Sequence, residues 1–414
     1  MMLFVAVSAN ALSSSFVRGA DISWCSEMEA DGMKFYDNNG VETEIFSLMK
    51  HIGMNAIRLR VWVNPENGYG TWSDKADVLA KAQRAKAQHL DVMIDFHYSD
   101  YFADPGKQTK PAAWEGMTFD ELKEALAAHT IDVLQTLKDE GIEPKWVQVG
   151  NETSSGMVWE DGRIDWNKPD SQRWLNYVAL SNTGYDAVKS VLPNAYVIVH
   201  HDNAVHDNEW FYQAFQRYGG KFDMIGLSHY PDWEQWSATN TTAAANLRKL
   251  YKAFHVPVMI VETGYSTWDE PRAEQVMKDL FEKMTQEEGC VGILYWEPEV
   301  YGGWDARLLL EDGTWRPGTN GTYGLKVVNN GAFTACGQPA PALLVFGSFT
   351  DGHGGVPTGD ANSDGQVDIE DANVIINIML GKADSEHYPA ADANGDGWVD
   401  VEDLNIVINI MLEN

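Results

Sequence analysis

The sequence predicts an α/β fold, a (β/α)8 TIM barrel, followed by a small C-terminal all-α domain of the EF-hand-like, calcium-binding kind. Three observations predict it. Eight apolar runs alternate with helical patterns between Val17 and Trp296, which argues for a parallel sheet, and eight strands close a barrel. Two of those runs end in a glutamate, at the strand edge where barrels of this kind carry their chemistry. Near the C-terminus an acidic pattern occurs twice, at Asp360 and again at Asp392.

Taken in order, residues 1–15 read as the end of a signal peptide. Leu3 to Val7 are apolar and Ser8 to Ala11 offer small residues at cleavage spacing, although a basic start is missing. The expected location is therefore secreted or extracellular, with the cell surface and periplasm included. Residues 16–346 form the barrel. Its strands are expected at Val17–Trp24, Asn55–Val63, Asp91–His97, Lys145–Gly150, Ala195–His200, Phe222–Tyr230, Val256–Val261 and Cys290–Trp296. The helices between them carry one-sided apolar stripes. Ile45, Leu48, Met49 and Ile52 fall at i, i+3, i+4 and i+7, and Leu247, Leu250, Tyr251 and Phe254 repeat the spacing. Residues 297–330, rich in Gly, Trp and Asp, read as a loop over the barrel mouth, and Pro341 to Phe346 as the close of the last helix. Residues 347–358 have the composition of a flexible linker. Residues 359–414 hold the repeat, each copy leading into a helix, Asn373–Leu380 and Leu404–Leu412.

Composition narrows the function. A net charge of −31 excludes nucleic acid and anionic membrane surfaces as partners and suits an uncharged ligand and divalent cations. No run of eighteen apolar residues occurs, so no transmembrane span is expected. Sixteen Trp and sixteen Tyr supply flat surfaces on which sugar rings stack. Three cysteines, Cys25, Cys290 and Cys336, make no disulfide scaffold; one bridge is open to them and its pairing is not readable.

The repeat has the spacing of a calcium loop. Hard cations take oxygen ligands, and a twelve-residue loop wraps one ion. DANSDGQVD at 360–368 offers Asp360, Asn362 and Asp364, the backbone carbonyl of Gln366, then Asp368 and Asp371. DANGDGWVD at 392–400 offers Asp392, Asn394, Asp396, the carbonyl of Trp398, then Asp400 and Asp403. Gly365 and Gly397 sit where each loop turns sharply. Two Ca2+ ions are expected, and they hold together a domain too small to stand on its own core. This pair of loops resembles a type I dockerin over residues 360–414. The resemblance implies docking onto a cohesin-like scaffold protein. Loop positions 10 and 11, often Ser-Thr in cellulosomal members, are here Ile369-Glu370 and Val401-Glu402.

The barrel offers the chemistry of glycoside hydrolysis, which needs two carboxyls facing one cavity. The run KWVQVGNET at 145–153 ends in Asn151 and Glu152; VPVMIVETG at 256–264 ends in Glu262. Glu152 reads as the general acid/base, its pKa raised by apolar surroundings and by the second acid. Glu262 reads as the nucleophile, which needs cationic or donor neighbours to stay ionised. Arg58 and Arg60 alternate with Ile57, Leu59 and Val61 and so face one side. Tyr230 is placed to donate to Glu262, and Asn151 to bond a sugar 2-hydroxyl.

These residues carry a second resemblance. The barrel looks like glycoside hydrolase family 53, the endo-β-1,4-galactanases, through IRLRVWVNP (57–65), DFHYSD (95–100), ADPGKQ (103–108), PAAW (111–114), VQVGNET (147–153), GM (156–157), ETG (262–264) and YWEP (295–298). The resemblance implies a retaining mechanism on β-1,4-galactan or type I arabinogalactan, the side chains of pectin, with no cofactor in the hydrolytic step. It implies Arg58 and Tyr230 as supporting residues and Trp296 beneath the sugar at the point of cleavage. Within the same stretches it draws His97, Asp104, Trp114 and Trp62 to the substrate, with Trp159 and Trp233 as looser stacking candidates. The acidic loop that binds calcium in some bacterial members is represented by residues 265–272, which lack the oxygen ligands for it. Two other functions fit the carboxylates or the fold: a clan-related mannanase or glucanase with different subsites, and a catalytically dead carbohydrate-binding or scaffold protein.

Overall fold

A computed structural model describes residues 16–65, 72–164, 171–266, 270–302, 304, 308–309, 315–316, 331–349, 359–362, 367–383, 388–391, 393 and 399–413. The expected signal peptide and all but the first three residues of the expected linker lie outside the described residues. The chain divides into two compact units, Val17–Phe346 and a C-terminal unit drawn from Gly347–Asn414.

In the first unit, among the described residues, eight parallel strands close a barrel. They are β1 (Val17–Asp21), β2 (Ala56–Val61), β3 (Asp91–Phe96), β4 (Trp146–Val149), β5 (Tyr196–His201), β6 (Met224–His229), β7 (Val258–Thr263) and β8 (Cys290–Trp296). Each lies within or beside an expected run. Closure is direct: β1 pairs with β2 through Gly19 and Ala56 and with β8 through Val17 and Gly292. Gly19 is required there, because a Cβ on it would stand 2.5 Å from the Ala56 carbonyl oxygen. Around the barrel lie α1 (Cys25–Ala30), α2 (Ile45–His51), α3 (Lys75–Ala87), α4 (Phe119–Asp139), α5 (Ser171–Val191), α6 (Glu209–Arg217), α7 (Trp236–Phe254) and α8 (Glu270–Met284). The two predicted stripes bury Ile45, Leu48 and Met49 on α2 and Leu247 and Leu250 on α7.

Every strand contributes to one interior apolar cluster: Val17, Ala56, Met93, Trp146, Ile198, Met224, Met259 with Val261, and Leu294. Side chains alternate along a strand. Two residues beyond that layer, the inward positions therefore become Arg58, Asp95, Gln148 and His200. The barrel is thus an apolar plug below a polar floor. On β7 the alternation breaks. Leu227 faces Ile260 but Ser228 faces Glu262, so one extra residue enters β7. A bulge of this kind re-aims a side chain, and here it turns Glu262 to the side that already holds Met259 and Val261.

A ninth helix, α9 (Pro341–Ser348), packs Phe346 edge-on against Phe281 at 4.8 Å. It absorbs Gly347 and Ser348, which the sequence assigned to the linker. The C-terminal unit contains α10 (Ile369–Met379) and α11 (Val401–Glu413) over a small core of Ala361, Ala372, Ile375, Ala391 and Val407. Both helices start three or four residues earlier than the apolar pattern suggests. Asp368 and Asp371 explain this for α10, since together they form a capping box at its start. The three cysteines are free; burial pushes the thiols of Cys25 and Cys290 up to about 12, so both are inert. Among the described residues, no helix is long and apolar enough to cross a membrane.

Candidate active site

Arg58 is the hub. Its guanidinium is 1% exposed and every nitrogen donates. Nε bonds Gln148 Oε1 at 2.7 Å, Nη1 bonds Asp21 Oδ2 at 2.8 Å, and Nη2 reaches Asp95 Oδ2 at 2.8 Å, Asn151 Oδ1 at 2.9 Å and Glu262 Oε1 at 2.7 Å. A buried guanidinium is expensive unless paired, and here it meets three carboxylates. Burial alone would raise the Asp95 pKa, but Arg58 and His97 outweigh it and hold that carboxyl below its ordinary value. His97 accepts from the Ala103 N–H at Nδ1 (2.9 Å), which leaves Nε2 as the N–H that meets Asp95 at 2.9 Å.

The two glutamates share this floor. Gly150 takes φ +88° and Glu152 φ 46°, both left-handed, so the chain leaves β4 in a tight twist. The Glu152 N–H points back to His200 Nδ1 at 3.2 Å, and its Oε1 accepts from Ser228 Oγ at 2.7 Å. Glu262 is buried; besides Arg58 it accepts at Oε2 from the Tyr230 hydroxyl at 3.1 Å, and Ser228 Oγ stands 3.4 Å from the same oxygen. Desolvation raises both carboxyls. For Glu152 the Glu262 charge adds to the rise and carries it well above the ordinary value. For Glu262, Arg58 and Tyr230 work against the rise. Both carboxyls are therefore raised, Glu262 to about 7, and the Arg58 charge and the Tyr230 hydroxyl oppose the rise of Glu262.

The other residues drawn to the site from sequence divide by exposure. Trp296 is partly open, with Tyr230 edge-on to it at 6.3 Å. Asn151 Nδ2 donates to the Ala103 carbonyl at 2.7 Å and keeps one proton. Asp104 is partly exposed, and its Oδ1 closes a turn by accepting from the Gly106 N–H at 2.7 Å. Trp233 is 45% exposed, stacked on Tyr265 at 5.2 Å with Arg272 4.9 Å from its ring. Three assignments need correction. Trp62 is 1% exposed, wedged among Tyr101, Phe102 and Trp24. Trp114 is 5% exposed against Tyr98 and His129. Neither indole has a face for a sugar. His97 has both ring nitrogens committed inside the protein and so orders the floor. Arg60, inward like Arg58, pairs instead with Glu297 at 2.5 Å under the rings of Trp24, Trp62 and Phe102.

Sequence reasoning assigned no role to Asp21, Asp95, Gln148, His200 or Ser228. Each is a polar residue in a mostly apolar strand, which was the available signal. His200 stays neutral, because burial and Arg58 both push its pKa well below the ordinary value.

The described calcium-loop residues fit a hard cation. Asp360, Asp371 and Asp403 are fully buried. Asp371 accepts from the N–H groups of Asn362 (2.9 Å) and Asp368 (2.8 Å), and Asp403 from that of Asp400 (2.8 Å), so the last acid of each loop ties loop to helix. Asp364, Gln366, Asp392, Asn394, Asp396 and Trp398 lie outside the described residues.

Both parts of the chain are similar to known proteins. Residues 17–346 match the model of glycosyl hydrolase family 53, and residues 358–412 that of the dockerin type I domain. An endo-β-1,4-galactanase of Bacillus subtilis is 30% identical, with 83% of this chain and 88% of that protein covered. An arabinogalactan endo-β-1,4-galactanase of Cellvibrio japonicus is 32% identical over 72% of this chain and 84% of that one. A solved structure from a study of two fungal β-1,4-galactanases superposes with a TM-score of 0.69 at 28% identity, covering 80% of this chain and 99% of that one.

Proposed function

The chain belongs to glycosyl hydrolase family 53, and on that premise we propose that it is an endo-β-1,4-galactanase that cleaves (arabino)galactan side chains of pectin with retention of configuration. The named activities of its relatives support the substrate. One observation carries the mechanism. Ser228 Oγ lies within 2.7 Å of Glu152 and 3.4 Å of Glu262. The nearest oxygens of the two carboxyls are therefore at most about 6 Å apart, short of the roughly 6.5–9.5 Å that admits a water in inverting enzymes and near the roughly 5–5.5 Å of retaining ones.

Glu262 attacks the anomeric carbon and forms a covalent galactosyl-enzyme, while Glu152 gives its proton to the departing O4. Water then attacks the anomeric carbon and displaces Glu262, while Glu152, now a base, takes a proton from that water. Arg58 and Tyr230 favour the ionised form of Glu262, the free amide proton of Asn151 reaches the 2-hydroxyl, and Trp296 forms the floor beneath the sugar. No step draws on a cofactor. Calcium belongs to the C-terminal unit, where each loop would hold one ion, which would neutralise the loop carboxylates and so stabilise the folded unit. That unit docks the enzyme onto a cohesin-like scaffold outside the cell, a reading supported by the dockerin match.

The test is incubation with linear β-1,4-galactan, β-mannan and β-glucan. Short galacto-oligosaccharides from galactan alone, with the β-anomer formed first by NMR, are expected. Release from mannan or glucan instead would overturn the substrate; an α-anomer first would overturn retention. Glu262→Ala should lose at least ~10³-fold in kcat, and wild-type turnover in that variant would remove Glu262 as nucleophile.

A further inference from the structure

We propose that Ser228 is a positioning residue for Glu152, at the end of a one-way chain of hydrogen-bond donors that begins at Arg58 and fixes which oxygen of Glu152 carries the proton. The proposal rests on the reading of Glu152 as acid/base. Each link is short. Arg58 Nε–H donates to Gln148 Oε1 at 2.7 Å, and Gln148 Nε2–H to His200 Nδ1 at 2.9 Å. His200 Nε2 and Ser228 Oγ are 2.8 Å apart, and Ser228 Oγ and Glu152 Oε1 are 2.7 Å apart.

The direction follows from donor chemistry. Arg58 is only a donor, so Gln148 must present its carbonyl to it and its NH2 to His200. His200 Nδ1 faces a second donor, the Glu152 N–H at 3.2 Å. Its one acceptor neighbour, Asn151 Oδ1 at 3.1 Å, already takes Arg58. Nδ1 is therefore bare and Nε2 carries the proton. That proton goes to Ser228 Oγ, whose own single proton is left for Glu152 Oε1. The contact of Ser228 with Glu262 at 3.4 Å is too long to compete.

Glu152 Oε1 is thus an acceptor before and after proton transfer, and the catalytic proton resides on Oε2. The same imidazole holds the Glu152 N–H, so the left-handed backbone and the carboxylate are set by one ring. Arg58 serves both carboxyls, Glu262 by contact and Glu152 through three intervening side chains on β4, β5 and β6.

The experiment compares wild type, Ser228→Ala, Ser228→Thr and Glu152→Gln on galactan and on an aryl β-galactobioside whose leaving group needs no acid, each across pH. The charged and titratable groups facing Glu152 are Arg58 from β2, His200 and Asp202 from and just beyond β5, Tyr230 just beyond β6, and Glu262 from β7. A donated hydrogen bond favours the ionised carboxylate, so its loss moves the basic limb of kcat/KM to higher pH. Ser228→Ala is expected to lose about 10–100-fold on galactan, to keep the formation of the glycosyl-enzyme from the aryl substrate within about threefold, and to shift that limb upward; Ser228→Thr restores the galactan rate and the position of the limb. An equal loss on both substrates, or an unmoved limb, overturns the proposal. If Ser228→Ala does not fold, Ser228→Cys, near in size and a weak donor, gives the same comparison. Inert wild type, or Glu152→Gln indifferent to the leaving group, would instead sink the acid/base reading itself.

Discussion

Glu262 accepts from one cation and one neutral donor, and the two have separable consequences. Arg58 cannot be removed without leaving Asp21, Asp95 and Glu262 facing one another in a dry floor. Tyr230 can. Tyr230→Phe deletes only the hydroxyl 3.1 Å from Glu262 Oε2. A nucleophile must be ionised, and losing a donor raises its pKa further above the ordinary value. The acid limb of kcat/KM is therefore expected to move to higher pH, with a loss of roughly tenfold near neutrality, read from a pH–rate profile on galactan. An unmoved acid limb would show that Arg58 alone sets the charge of Glu262. At this scale the sequence was most legible where a polar side chain interrupts the end of an apolar run, as at Asn151, Glu152 and Glu262. Gln148, His200 and Ser228 were not legible as a group, because their partners sit on neighbouring strands and only barrel closure brings them together. Tryptophan was ambiguous by type: Trp62 and Trp296 look equally suited to sugar, and only exposure separates them.

The strands were legible because β-branched and aliphatic runs bounded by turns leave little alternative. Their irregularities were not. Strict alternation from Met259 would turn Thr263 inward, and the bulge that presents Glu262 instead appears only in the pairing of β6 with β7. The chain beyond β8 holds a second such feature. Glu297 and Glu299 are fully buried; Glu297 pairs with Arg60, and Glu299 accepts from the Trp24 N–H at 2.9 Å. Desolvation pushes Glu297 up to about 8, and desolvation with the Glu297 charge carries Glu299 well above its ordinary value. A carboxyl whose folded pKa is raised binds more protons folded than unfolded above its ordinary pKa. Its contribution to stability is therefore present at low pH and is lost as pH rises. Melting temperature should fall from pH 5 toward pH 8, and Glu299→Gln, which cannot ionise, should flatten that fall by a few degrees. Parallel pH–melting curves for the two proteins would mean that Glu299 titrates in the folded barrel as it does in the unfolded chain.

The two units differ in what holds them. The barrel has an apolar plug to which every strand contributes, and ion pairs and hydrogen bonds centred on Arg58 satisfy its polar floor. Among the described residues, the C-terminal unit has a fully buried core of three alanines, one isoleucine and one valine with partly buried side chains packed against it, beside three fully buried aspartates. Burying carboxylates without a cation costs several kcal/mol each, more than a core of that size returns. Calcium is the natural counter-charge for such an oxygen-rich set. The repeat made the unit legible in sequence, since a loop and its helix recur at a fixed offset; the early helix starts were hidden because Asp368 and Asp371 serve loop and cap together. A chelator should therefore melt the C-terminal helices of the full chain and leave the barrel transition and galactan turnover within about twofold. Adding calcium back should restore the lost helical signal and a separate, calcium-dependent calorimetric transition, because a ligand that binds only the folded state stabilises it by mass action. If the chelator instead lowers the barrel transition and stops hydrolysis, an ion must also hold the barrel, where the described residues contain no group of three or more metal-ligating side chains.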